Sequence, residues 1–258
     1  MKIVVAYKWA ANPQDAEVRP DGSVGWGRAK SAVSEYDPVA FEVARRLAEA
    51  TGGEVIGLSV GAAAIDTPLA RKAALSRGHD RLVLVADDAL ADVDGTRIAA
   101  ARAAAVTTIG DVDLVLAGDS SVDVAEGQVA MTLAGQLGWL GLAGVSSVES
   151  DGGVLRVERD LPAGISTLSV EGPVVLALTS DAVMARVPGM KDILGAAKKP
   201  TQVLALSALD VAAPVVELTT LSATPPATGD RKGVMFDGSD PAAAAIQLVD
   251  ALRLARAL

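Results

Sequence analysis

The chain has 258 residues, half of them hydrophobic, and a net charge of −9. That is enough apolar material for one large domain with an appendage, and the acidic balance argues against a nucleic-acid surface, which needs clustered Lys and Arg. There is no cysteine and one histidine, His79, which excludes disulfides and cysteine-ligated metal and leaves a histidine-based triad or metal site almost nothing to work with.

Aromatic residues make up 3% of the chain, so the core must come from Ala, Val, Leu and Ile, which suits helices packed closely on a parallel sheet. Lys2 to Ala6 (KIVVA) is a short apolar run consistent with a buried strand and too short for a signal peptide. No apolar run approaches the roughly 20 residues that span a bilayer, so a soluble, cytoplasmic chain without membrane insertion is expected. Residues 10–35 contain Pro13, Pro20, Gly22, Gly25 and Gly27 and predict a long loop with room for a small hairpin. Asp37-Pro38 then opens a helix, with Asp suited to the N-cap and Pro to the first turn. Val39, Val43, Ala44 and Leu47 give that helix a buried face.

The alternation continues with a strand at Glu54 to Val60 and a helix from Thr67-Pro68 to near Gly78. A strand at Arg81 to Val85, an Ala-rich helix at Gly95 to Ile109 and a strand at Val112 to Leu116 follow. Strands and helices joined by short connections imply βαβ crossovers and a parallel sheet. After Gly138 the pattern changes. Val145 to Val148, Val154 to Arg159, Ile165 to Val170 and Val174 to Leu178 predict strands joined by turns such as Asp151-Gly152-Gly153, a β-rich annex at about 145–180. Residues 181–200 look short and irregular. From 201 to about 230 there are strand-like pieces without a clear period, interrupted by Pro225-Pro226, and a last helix starts at Asp240-Pro241 and runs through Leu248, Leu252 and Leu254. A long aperiodic connection inside a compact domain is unusual; an arm over 201–258 that wraps a partner explains it more easily.

Two sequence signals of nucleotide enzymes are missing: there is no G-x-x-x-x-G-K-[ST], and no G-x-G-x-x-G follows the first strand. Gly25-Trp26-Gly27 sits in the long loop. The stretch AGDSSVDVAEGQVAMTLAGQLGW, Ala117 to Trp139, is better placed, because it follows a strand where α/β folds collect ligands. Two readings of it stay open. Asp123 and Glu126 form the spacing of a capping box on the next helix. Alternatively the stretch cradles a nucleotide on helix N–H groups, with Asp119, Asp123 and Glu126 turned away from phosphate or used on ribose hydroxyls. His79, in a turn after Gly78, reads as a surface or capping residue, and Lys198-Lys199 as a solvated basic pair.

These pieces resemble one family, the β subunit of electron transfer flavoproteins. The likeness runs from residue 1 to about 200 through MKIVVAYK, EVIGLSVG, ALSRGHDRLVLV, Gly118 to Gln128, PAGISTL and ILGAAKKP. It implies an adenine nucleotide alpha hydrolase-like, Rossmann-like α/β domain over 1–200, with the arm of 201–258 packed on an α subunit. It implies an electron carrier rather than an enzyme: a heterodimer that shuttles electrons from flavin dehydrogenases to an acceptor. One FAD would be shared with the α subunit, and AMP or a second FAD would lie in this chain. The implied pocket is lined by Ala6, Ser34, Glu35, Tyr36, Asp37, Val60, Gly118, Asp119, Ser120, Ser121, Val122, Asp123, Gly127, Gln128 and Val129. Ile165, Ser166, Thr167 and Leu168 would dock partners, and Arg186 would face the flavin interface. No metal and no catalytic residue is implied. Ser34-Glu35 replaces the family's Asn-Pro, and the run ending Met184-Ala185-Arg186-Val187 replaces Leu-Asn-Glu-Pro-Arg-Tyr. An adenine-nucleotide hydrolase or ligase on a similar body, and a scaffold that has lost its ligand, remain alternatives.

Overall fold

The computed structural model describes residues 1–19, 21–91, 93–213, 221 and 233–258, which divide into two units, 1–222 and 223–258. In the first unit, β1 (Lys2–Ala6) leads into two small ribbons, β2 (Trp9–Ala11) paired with β5 (Ser31–Val33) and β3 (Glu17–Val18) paired with β4 (Val24–Gly25). The expected long loop is therefore a folded flap. Next come α1 (Pro38–Thr51), β6 (Glu54–Gly61), α2 (Pro68–Leu75), β7 (Arg81–Ala86), α3 (Gly95–Ile109) and β8 (Leu114–Gly118). The remainder of the unit is α4 (Val129–Leu137), β9 (Leu140–Asp151), β10 (Val154–Leu161), β11 (Gly164–Val170), β12 (Val174–Leu178), α5 (Met190–Ala196) and β13 (Thr201–Val203). The second unit carries α6 (Pro241–Leu254), whose Asp240 carboxylate caps the N–H groups of Ala242 and Ala243.

Among the described residues, nine strands form one sheet in the order β11-β10-β9-β12-β8-β1-β6-β7-β13. The pairs from β9 through β13 by way of β12, β8, β1, β6 and β7 are parallel, and β10 and β11 extend the edge as antiparallel strands. The fold is thus α/β with a mostly parallel sheet. The annex differs from its expected form in one respect: Val174 to Leu178 is a parallel strand inside the main sheet, between β9 and β8. Its run of five buried residues marks it as covered on both faces. Residues 181–200 are not wholly irregular, since they hold α5, and Thr201 to Val203 adds the edge strand beside β7. The strand-like pieces expected over 214–220 and 222–230, with Pro225-Pro226, lie outside the described residues.

Strand alternation splits the core in two. Ile3, Val5, Leu114 and Leu116 face α1 and α2, whereas Val4, Ala6, Val115 and Ala117 face α3 and α4. The small Ala99, Ala101 and Ala105 let α3 pack closely on the sheet. Each fully buried Leu, Ile or Val contributes about 1.5–3 kcal/mol relative to exposure.

For His79 the surface position is a correction, while the capping contact is present. The side chain is fully buried, with its ring edge-on to Phe41 at 4.7 Å and Nδ1 3.0 Å from the Ala74 carbonyl at the end of α2. Burial pushes its pKa down to about 4, so it is neutral at pH 7. Lys199 is not a solvated residue either: its ammonium donates to the Leu75 and His79 carbonyls, covering free carbonyls after α2. Space for the histidine ring comes from Gly57 on β6, where an added methyl would lie 2.5 Å from Leu82 Cδ2 and 3.1 Å from His79 Nε2. Gly57→Ala is expected to destabilise the chain by about 1–3 kcal/mol through overpacking; a chemical-denaturation midpoint equal to wild type would contradict this packing.

Candidate functional site

The chain moves from β1 to β6 to β7 in one direction, then crosses by α3 to β8 on the other side of β1. Such a reversal opens a crevice at the carboxyl ends of the strands. A cavity of about 480 Å³ occupies that position, within the range of small-molecule sites. Ala6 closes β1, Val60 and Gly61 close β6, and Ala117 and Gly118 close β8 along its wall. The loop after β8 adds Asp119, Ser120, Ser121, Asp123, Val124, Glu126, Gly127 and Gln128, and α4 begins with Val129 and Ala130. Lys8, Trp9 and Trp26 come from the flap and its entry, and Arg102 from α3.

Asp37 anchors this corner. It occupies the N-cap position of α1, but its carboxylate makes no capping bond. It turns instead to accept the Lys8 N–H at 2.8 Å. It is 4% exposed. Burial pushes its pKa up to about 7, against the opposing pull of the Lys8 N–H, the Arg102 charge and the Gly118 N–H. Gly118 must approach Tyr36 closely here: an added methyl would lie 2.5 Å from the Tyr36 carbonyl oxygen and 3.0 Å from Asp37 Oδ1. Backbone cannot yield as a flexible side chain can, so only glycine fits.

Lys8 and Asp123 close the neighbouring side. The Lys8 ammonium meets both Asp123 oxygens, at 2.9 and 2.8 Å, tying the loop after β8 to the end of β1. Partial burial raises the Asp123 carboxyl, but bonding to Lys8 more than offsets this and holds it below the ordinary value. The expected capping box is therefore not formed. α4 starts at Val129 with Gln128 as N-cap, and Glu126 bonds Gln128 Nε2 at 3.1 Å. Lys8 takes the carboxylate that a cap would need, and left-handed Ala125 (φ 57) and Gly127 (φ 65) break the helical path.

Two wall groups have atoms without a partner. Arg102 is 7% exposed; Nη2 donates to the Tyr7 carbonyl at 3.1 Å, while Nε has no hydrogen-bond partner. Burial disfavours its charge and the nearby Asp37 supports it. Asp119 Oδ1 is buried and unpaired, and its pKa is raised by desolvation and by the charge of Asp181. Buried polar atoms are normally satisfied, and these two exceptions belong to residues that line the cavity.

Residues 27–209 match the family model of the electron transfer flavoprotein domain. The chain belongs to the electron transfer flavoprotein family. Members of this family carry electrons by means of flavin and work with partner subunits and dehydrogenases. Among the described residues, no helix is long and apolar enough to cross a membrane, and no cluster of His, Asp and Glu could hold a metal ion.

The residues assigned by family likeness fall into distinct places. Ala6, Asp37, Val60, Gly118, Asp119, Ser120, Ser121, Asp123, Gly127, Gln128 and Val129 share the cavity wall. Ser34, Glu35, Tyr36 and Val122 are not on it. Ser34 is buried behind the wall, where its hydroxyl oxygen accepts the Val122 N–H at 3.4 Å. Arg186 is also off the wall; it lies 3.9 Å from Glu42 and 3.7 Å from Asp192. Ile165, Ser166, Thr167 and Leu168 lie on β11, with Ile165 exposed and Leu168 packed against the first core. The likeness missed Lys8, Trp9, Trp26 and Arg102 as wall residues. The available signal for Arg102 was an arginine flanked on both sides by three alanines in α3.

Two outcomes follow from this geometry. Asp37 releases its proton near pH 7 when folded and near 3.8 ordinarily. As pH rises through that window, the unfolded chain ionises first and native stability falls. Asp37→Asn keeps an acceptor for Lys8 N–H and should flatten this loss in denaturation curves taken across the window. Gly118→Ala should destabilise the fold by about 1–3 kcal/mol, read by thermal melting.

Proposed function

We propose that this chain is the β-type subunit of an electron transfer flavoprotein, holding AMP or a second FAD in its own cavity and pairing with an α-type subunit that carries most of a shared FAD. The observation that carries this reading is the cavity at the strand reversal, walled by the close-packed Gly118, the loop after β8, and Lys8 and Arg102. An adenosine phosphate fits that donor set. Asp119 accepts from hydroxyl or amino groups, Arg102 supplies a cationic donor, and Gly118 lets the main chain pass close behind the ligand. Lys8 and Asp123 keep the loop after β8 against the cavity. Four wall carboxylates, Asp37, Asp119, Asp123 and Glu126, face two cations, Lys8 and Arg102. This balance disfavours a free triphosphate and suits the hydroxyl-rich half of a nucleotide.

Bound flavin would supply the one- and two-electron chemistry; the chain would supply position, electrostatics and exclusion of water. No wall residue pairs a nucleophile with a histidine base, because the single histidine is buried behind β6. The exposed tip of β11 at Ile165 is the proposed dehydrogenase-docking point, and the arm that ends in α6 is the proposed grip on the α-type subunit.

Co-expression with an α-type subunit, followed by denaturation of the purified complex and mass spectrometry of released nucleotides, tests this assignment. Two nucleotides per heterodimer are expected, either FAD with AMP or two FAD, and Gly118→Ala should lose one of them. A complex that carries a single FAD at saturating AMP and FAD would leave this cavity a scaffold feature.

A further inference from the structure

The chain is poor in aromatic residues, with three Trp, two Tyr and two Phe. Two of the three tryptophans, Trp9 and Trp26, nevertheless line the cavity at the strand reversal. They reach it by different routes. Trp9 opens β2, pairs with Val33 on β5 and leans on the first core. Trp26 follows β4, in a turn closed by the Ala29 N–H on its carbonyl at 3.0 Å. Both precede the family match, which starts at residue 27. Trp26 remains 39% exposed, so part of this side chain stays open.

A large apolar ring left open on a cavity wall has a plain physical use. Indole offers a broad, rigid π-face at small entropic cost, and a flat heteroaromatic ring laid on it removes apolar area from water on both partners. Val60, Leu90, Val93 and Ile98 add aliphatic surface to the same wall. The unpaired polar atoms, Arg102 Nε and Asp119 Oδ1, belong to other elements than the tryptophans. The wall therefore offers both apolar surface, suited to a ring, and polar groups, suited to sugar and phosphate.

We propose that Trp26, assisted by Trp9, stacks on the planar ring of the bound nucleotide and makes the flap a specificity element for ring-bearing ligands. This inference rests on the reading of the cavity as a nucleotide site. Stacking recognises any flat ring and is tolerant of its hydrogen-bonding edge. The flap thus selects for the presence of a purine or isoalloxazine ring, while the polar wall groups act on the rest of the ligand.

The test is calorimetric titration of the purified full chain, freed of co-purified nucleotide, with AMP, FAD and ribose 5-phosphate. Trp26→Ala is expected to weaken binding of the ring-bearing ligand roughly tenfold or more and to leave ribose 5-phosphate binding unchanged. Trp26→Phe, which keeps a ring, is expected to recover most of the loss and guards against a folding defect. Ligand-induced change in tryptophan emission should shrink in Trp26→Phe. Equal affinity of wild type and Trp26→Ala for AMP and FAD overturns the stacking role while leaving the cavity a nucleotide site. So does an equal loss for ribose 5-phosphate, or a Phe variant as weak as the Ala variant. Failure of the wild-type chain to bind either AMP or FAD overturns the nucleotide reading itself, and stacking with it.

Discussion

The buried carboxylate of Asp37 pins together the ends of β1, β8 and α1, elements that the sheet and the first core already bring side by side. It takes the N–H of Lys8, just past β1, and stands against Gly118 at the end of β8. It does so at the start of α1, so three elements converge on one side chain. Burying an acid costs free energy, visible in the upward displacement of its pKa. The gain is a fixed corner at the point where the sheet reverses direction. With that corner set, Ala6, Gly118 and the loop after β8 present a concave wall instead of three independent loop ends.

Charge distribution around this corner explains the behaviour of its neighbours. Lys8 has two tasks: its backbone N–H serves Asp37 and its ammonium serves Asp123. The second pair pulls the loop after β8 away from helical geometry and delays α4 to Val129. Arg102, on the wall, is held by the Tyr7 carbonyl. In a family that carries electrons by means of flavin, the bound cofactor does the redox chemistry and the polypeptide positions it.

Much of the fold was legible from local pattern. Short continuous apolar runs, Asp-Pro and Thr-Pro helix starts and short connections are sufficient to identify a parallel α/β body. Local pattern failed where a distant partner outbid a neighbour. Asp37 and Asp123 both look like caps, and both give their carboxylates to Lys8 instead. Val174 to Leu178 sits among antiparallel strands in sequence but joins the parallel sheet, because only there are both its faces covered. His79 looks exposed beside a glycine, yet Gly57 on β6 makes a hole for it.

The site divides along the same line. Sequence by itself determined the class of the fold, the family likeness and the small-residue stretch after β8, since each depends on residues near one another in the chain. It also determined the absence of cysteine chemistry and the scarcity of histidine. Only the tertiary structure decided that Lys8, Trp9, Trp26 and Arg102 share the wall with that stretch, and that Ser34 and Arg186 do not. The physical reason is that a cavity at a strand reversal is assembled from the carboxyl ends of strands far apart in the chain. No local signal records which of their side chains face inward; packing across the sheet does.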